Sequence, residues 1–124
     1  MMSPSLESLT RLMQILQERA EKRPPGSYTT KLMEGGAAKI GSKIREEAEE
    51  LIEAAGETGD EGRQHFIYEA GDLLYHTMVL LAWRGVDLQE IAQELARREG
   101  TSGLVEKASR RAESNSISSS SESE

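Results

Sequence analysis

The chain contains no cysteine, which removes disulfide frameworks, thiolate metal sites and cysteine nucleophiles together and leaves the redox compartment open. Aromatic residues are scarce, at 4%. The single tryptophan, Trp83, lies in a Leu/Met stripe and reads as core rather than as a binding platform. Long apolar runs are missing too, so no segment suits a bilayer. "MMSPSLESLT" at the N-terminus has no basic segment followed by an apolar run, and the expectation is a soluble, cytoplasmic protein with no membrane partner. Excess basic charge is also absent. The net charge is −7, a balance unsuited to nucleic acid, whose binders draw affinity from clustered Lys and Arg. Acidic groups that need a cation remain.

What is present is a chain of 124 residues, 36% hydrophobic and 30% charged, long enough for one domain with a modest core. Leu6, Leu9, Met13, Leu16 and Ala20 recur at alternating spacings of three and four, which describes a helix from Leu6 to Arg23 with a narrow buried seam. Pro24 and Pro25 end it. "GSYTTKLMEGG" has no clean period and reads as a connector with a helical turn around Lys31 to Glu34. A second helix is expected from Ala37 to about Ala55, and "GETGDEG" as a tight link to a third, Gln64 to Arg84, antiparallel to it. Gly85 suits a helix C-terminus, and Asp87 with Glu90 resembles a capping arrangement for a fourth helix, Leu88 to Arg98. No strand pattern competes. The expected fold is therefore all-α, an antiparallel four-helix bundle occupying residues 1–100, followed by a Ser/Glu-rich disordered tail over 101–124.

"KIREEAEELIEAA" raises the functional question, because its glutamates could be a solvated face or could converge on something. Helical geometry separates them. With Ile44 as origin, Ile40, Ala48, Leu51, Ile52 and Ala55 form the buried stripe; Glu47 lies about 60° to one side and Glu50 about 120° on that same side. In the third helix, Phe66, Ala70, Leu73, Leu74, Thr77, Leu80 and Leu81 make the stripe, and Glu69 and Asp72 border it, with His65 and His76 on the same strip. Acids wedged into an otherwise apolar helix need a reason. An antiparallel hairpin with an acid pair at spacing three on each helix can gather four carboxylates, which would repel and lose solvation. A divalent cation resolves that conflict, and all-oxygen ligation suits Mg²⁺ or Mn²⁺. His65 reads as an ordinary polar edge residue, and His76 as either an outer partner of the acids or a substrate contact.

Those two halves, Glu46, Glu47 and Glu50 as E-E-x-x-E and Glu69 and Asp72 as E-x-x-D, resemble the signature of the MazG-like all-α nucleoside triphosphate pyrophosphohydrolases. Longer stretches narrow the resemblance. "HFIYEAGDLLYHTMVLLAWRGVDLQEIAQELARR", "SYTTKL" and "KIGSKIREEAEELIEAA" are similar to the phosphoribosyl-ATP pyrophosphohydrolase family of histidine biosynthesis, in its stand-alone form, over Leu6 to Arg98. The family commonly has a glycine where this chain has Arg45, and Gln or Lys where Ser42 stands. Arg45 projects away from Glu47 and Glu50, so the departure touches substrate contacts rather than the acid cluster.

The resemblance implies hydrolysis of phosphoribosyl-ATP to phosphoribosyl-AMP and pyrophosphate. It implies Mg²⁺ held by Glu47, Glu50, Glu69 and Asp72, which would activate a water for attack on phosphorus. Glu46 is then an additional ligand or the general base, and Lys39, Lys43 and His76 are the expected substrate contacts. Tyr28 and Thr29 serve packing or ligand binding. The runner-up is a housecleaning pyrophosphohydrolase of free nucleoside triphosphates; a third reading is a non-catalytic helical module. A di-iron bundle fits less well, since neither pair continues as Glu-x-x-His. Four short helices and a narrow seam make a thin core, so a homodimer is expected to complete the burial.

Overall fold

A computed structural model describes residues 5–99 and 110. Among residues 5–99 five helices follow one another: α1 (Glu7–Lys22), α2 (Tyr28–Glu34), α3 (Gly36–Ala55), α4 (Gly59–Arg84) and α5 (Leu88–Arg98). No strand occurs among the described residues. The all-α expectation holds, with one short helix more than the four expected. The described residues through Leu88 form one compact unit, and those from Gln89 belong to another. The serine-rich tail expected over 101–124 lies outside the described residues, apart from Arg110.

The first unit is built on the α3–α4 hairpin, with α1 and α2 laid against one part of it. Its core joins Met13 and Leu16 of α1, Leu32 and Met33 of α2, Ile40 of α3, and Met78, Val79 and Ala82 of α4. Burial of each large side chain contributes roughly 1.5–3 kcal/mol. The seam expected on α1 is buried in its middle, while Leu6 at its start is 83% exposed. α1 stops where expected. Arg23 adopts a left-handed conformation (φ 46°) that returns its N–H to the Arg19 carbonyl, and the two prolines prevent continuation.

The helical turn expected around Lys31 to Glu34 is present, but the helix starts earlier, at Tyr28, and is seated in the core rather than part of a connector. Ser27 caps α2 by accepting the Thr30 N–H at 3.4 Å, and Thr29, Thr30, Leu32 and Met33 are all buried. Fewer than two turns cannot display a helical period, and two threonines disguise the buried face, so pattern reading fails here. Gly35 and Gly36 then redirect the chain into α3. A Cβ on Gly35 would stand 2.4 Å from Lys39 Cδ, and Gly36 takes φ +67°, a conformation glycine adopts without steric cost.

The link between α3 and α4 is shorter than expected, only Gly56 to Thr58, and α4 begins at Gly59 rather than Gln64. Its acids, Asp60 and Glu61, sit in the first turn of α4, where the positive end of the helix dipole favours them. Gly62 is buried there because the chain folds back closely; a Cβ would lie 2.8 Å from the Glu57 backbone carbon. At the other end Gly85 (φ 78°) closes α4 as its position suggested. Asp87 accepts a 2.8 Å hydrogen bond from Gln17 Nε2.

Four residues expected in the stripes are not buried. Ile52, Phe66 and Leu74 are exposed, as is Ala55, because α1 and α2 cover only part of the hairpin. Trp83, expected in the core, is also exposed, although its ring edge lies 3.7 Å from where a Gly36 Cβ would be. In α5, considered by itself, Arg97 and Arg98 hydrogen-bond Glu94 and pull its carboxyl down to about 2, while Ile91 and Leu95 are exposed.

Candidate functional site

Glu47 and Glu50 stand one turn apart on α3, and Glu69 faces them from α4. One carboxylate oxygen from each lies within 4.8 Å of the other two. The three are not equally wet. Glu69 is 6% exposed and Glu47 9%, while Glu50 is exposed. Glu69 Oε2 is buried and no protein donor reaches it; Glu47 and Glu50 converge on this carboxylate, and carboxylates bond one another only through a shared proton.

The cost of this arrangement shows in the titration of two members. Burial pushes the Glu47 carboxyl above its usual range, and the charge of Asp72 adds to the effect. Glu50 is raised by its hydrogen bond and charge repulsion with Glu69. Burial and like charge both favour the neutral acid. An all-oxygen donor set with a buried, unpartnered oxygen is what a hard divalent cation accepts, so these residues fit Mg²⁺ or Mn²⁺.

Other expected residues fall around this centre in different ways. Asp72, expected as a fourth ligand, is not among the three converging carboxylates, though its charge acts on both Glu47 and Glu50. Glu46 is exposed and lies 3.6 Å from Lys43 Nζ, outside the cluster. Lys39 is exposed, with its stem against Gly35. His76 is 6% exposed. Its Nδ1 lies 3.0 Å from the Asp72 carbonyl and 3.4 Å from Glu47 Oε1, and its Nε2 lies 3.1 Å from Tyr28 Oη. Of the two roles expected for His76, outer partner of the acids and substrate contact, this burial favours the first.

Three further residues carried little or no signal in the sequence. His65, read as a polar edge residue, bridges Glu57 Oε2 at 2.9 Å and Glu69 Oε1 at 3.3 Å; the Glu57 hydrogen bond raises its pKa. Glu57 lies in the interhelical link, where spacing rules give no orientation. Tyr75 hydrogen-bonds Thr29 Oγ1 at 2.8 Å and sets its ring edge-on to His76. Its place beside His76 in "DLLYH" was the one available clue.

The phosphoribosyl-ATP pyrophosphohydrolase family matches residues 9–99. The chain belongs to this family. It is 70% identical over 115 residues to the phosphoribosyl-ATP pyrophosphatase of Rhodopirellula baltica, covering 93% of this chain and 96% of that one. The corresponding protein of Novosphingobium aromaticivorans is 48% identical over 104 residues, 84% of this chain and 94% of the relative. The histidine biosynthesis bifunctional protein HisIE of Wolinella succinogenes is 48% identical over 101 residues, spanning 82% of this chain and 43% of that longer protein. All of Glu47, Glu50, Glu69, Tyr28 and His76 fall inside the segment that matches the pyrophosphohydrolase family, so the acid trio belongs to a hydrolase.

Proposed function

We infer that this protein hydrolyses phosphoribosyl-ATP to phosphoribosyl-AMP and pyrophosphate, the second step of histidine biosynthesis, in the cytoplasm. The observation that carries the reading is the convergence of Glu47, Glu50 and Glu69, with a buried unpartnered oxygen on Glu69, in a member of this family. The catalytic domain is taken as residues 1–100.

Glu47, Glu50 and Glu69 would hold the cation, with Asp72 close enough for its charge to be felt. A bound Mg²⁺ or Mn²⁺ supplies positive charge against the phosphate oxygens and makes a nearby water easier to deprotonate. The protein supplies the rest. Glu46, exposed beside the trio, takes the proton of the attacking water as its oxygen bonds to phosphorus; the bridging P–O bond breaks and pyrophosphate departs. Lys43, held beside Glu46, and Lys39 at the start of α3 provide cationic contacts for the phosphates.

Homodimerisation is part of the same reading. Ile52, Phe66, Ile67 and Tyr68 are exposed on the part of the hairpin nearest its link, an apolar surface that a second copy can cover. The decisive assay compares pyrophosphate release from phosphoribosyl-ATP with release from a panel of dNTPs, with Mg²⁺ present. Preference for phosphoribosyl-ATP is expected. A clear preference for the panel would replace this reading with a housecleaning pyrophosphohydrolase.

A further inference from the structure

We propose that Tyr28 is a positioning residue for the cation-binding acids, acting on Glu47 through the orientation of the His76 ring. The proposal rests on the reading of Glu47 as a cation ligand. A backbone carbonyl only accepts, so the 3.0 Å contact between His76 Nδ1 and the Asp72 carbonyl places a proton on Nδ1. That same N–H lies 3.4 Å from Glu47 Oε1. In the neutral ring Nε2 is then an acceptor, and the Tyr28 hydroxyl at 3.1 Å donates to it. The chain of contacts has one direction, from Tyr28 on α2, through His76 on α4, to Glu47 on α3.

Without the Tyr28 hydroxyl the ring loses one of its two hydrogen-bonded anchors. Nε2 would be an acceptor with its partner gone, on a ring only 6% exposed, at a cost typical of a buried polar group left unmade. The proton stays on Nδ1, because the Asp72 carbonyl still requires a donor there, but the ring is held from one side only and its Nδ1–H drifts from Glu47 Oε1. Glu47 then loses the N–H that stands 3.4 Å from its Oε1. Edge-on rings of Tyr28 and Tyr75, at 6.2 and 5.3 Å from the imidazole, hold its plane. Tyr28 itself is half-exposed, so the outermost link of this chain is open to solvent while its inner end is buried.

The test measures Mn²⁺ affinity of the full chain by the EPR signal of the free ion, with no substrate present. Tyr28→Phe keeps the ring and removes only the donor; it should weaken Mn²⁺ binding about tenfold, the lower end of what losing an outer hydrogen-bond partner costs a metal site. His76→Asn retains a donor at the Nδ1 position and should stay closer to the parent than His76→Gln, which places its amide near Nε2 instead. Circular dichroism confirms that each variant is helical before titration. Tyr28→Phe binding Mn²⁺ within twofold of the parent, or His76→Gln binding as well as His76→Asn, would overturn the proposal. Phosphoribosyl-ATP turnover by the parent, assayed separately, distinguishes failure of the proposed activity from failure of this positioning role.

Discussion

The two parts of the α3–α4 hairpin live in different environments. Away from the link, Ile40, Met78, Val79 and Ala82 are sealed by side chains of α1 and α2; near the link, Ile52, Phe66, Ile67 and Tyr68 lie open. Glu47, Glu50 and Glu69 fall where one regime gives way to the other. A carboxylate placed wholly in the sealed part would be neutral, and one in the open part would keep its water and have no need of a cation. At the boundary the acids are partly desolvated without being sealed in, with Glu69 and Glu47 buried and Glu50 exposed.

Breaking the boundary itself should have the largest effect. Glu69→Gln removes the acid whose oxygen is buried and unpartnered, and should lower turnover of phosphoribosyl-ATP by about a thousandfold, or ~4 kcal/mol of transition-state stabilisation, while circular dichroism stays helical. Unchanged turnover would return the cluster to a structural role. Next comes the sealed part. Leu32→Ala, in α2, should cost roughly 2–5 kcal/mol by denaturant unfolding, whereas an exposed loop would tolerate the same change.

The open part predicts association. Ile52→Asp should shift the protein toward monomer in sedimentation at micromolar concentration, weakening self-association about tenfold or more; a parent that is already monomeric would refute the dimer. The smallest effect concerns pH. Glu47 and Glu50 titrate above their usual range in the folded state, so the folded protein binds more protons than the unfolded one across that interval. Stability of the cation-free protein should therefore fall as pH rises from the ordinary carboxylate range through the raised values. Saturating Mg²⁺ should restore it at neutral pH, which differential scanning calorimetry can follow.

Long periodic segments made most of the fold readable from sequence. α1, α3 and α4 each run for several turns, and Pro24, Pro25 and Gly85 mark their ends by constraints the chain cannot evade. Glu47, Glu50 and Glu69 were legible for the same reason, since angular position on a helix follows from spacing alone. α2 was legible only as a turn because of its shortness, and the contact of Tyr28 with His76 was hidden by its dependence on how a non-periodic segment docks. Exposure of Ile52 and Phe66 was unreadable because periodicity shows which side of a helix is apolar, not what covers it.

The three-residue link between α3 and α4 also bears on how the molecule comes together. A short closed loop carries little closure entropy, and contacts near in sequence form early and fast. All three converging acids belong to this one hairpin, so the site's anionic halves meet without help from α1, while the Tyr28 bond to His76 must span a far longer stretch of chain. Assembly thus separates in time what the finished site joins: the capacity to gather charge arises locally, and the device that orients it arrives when α2 docks.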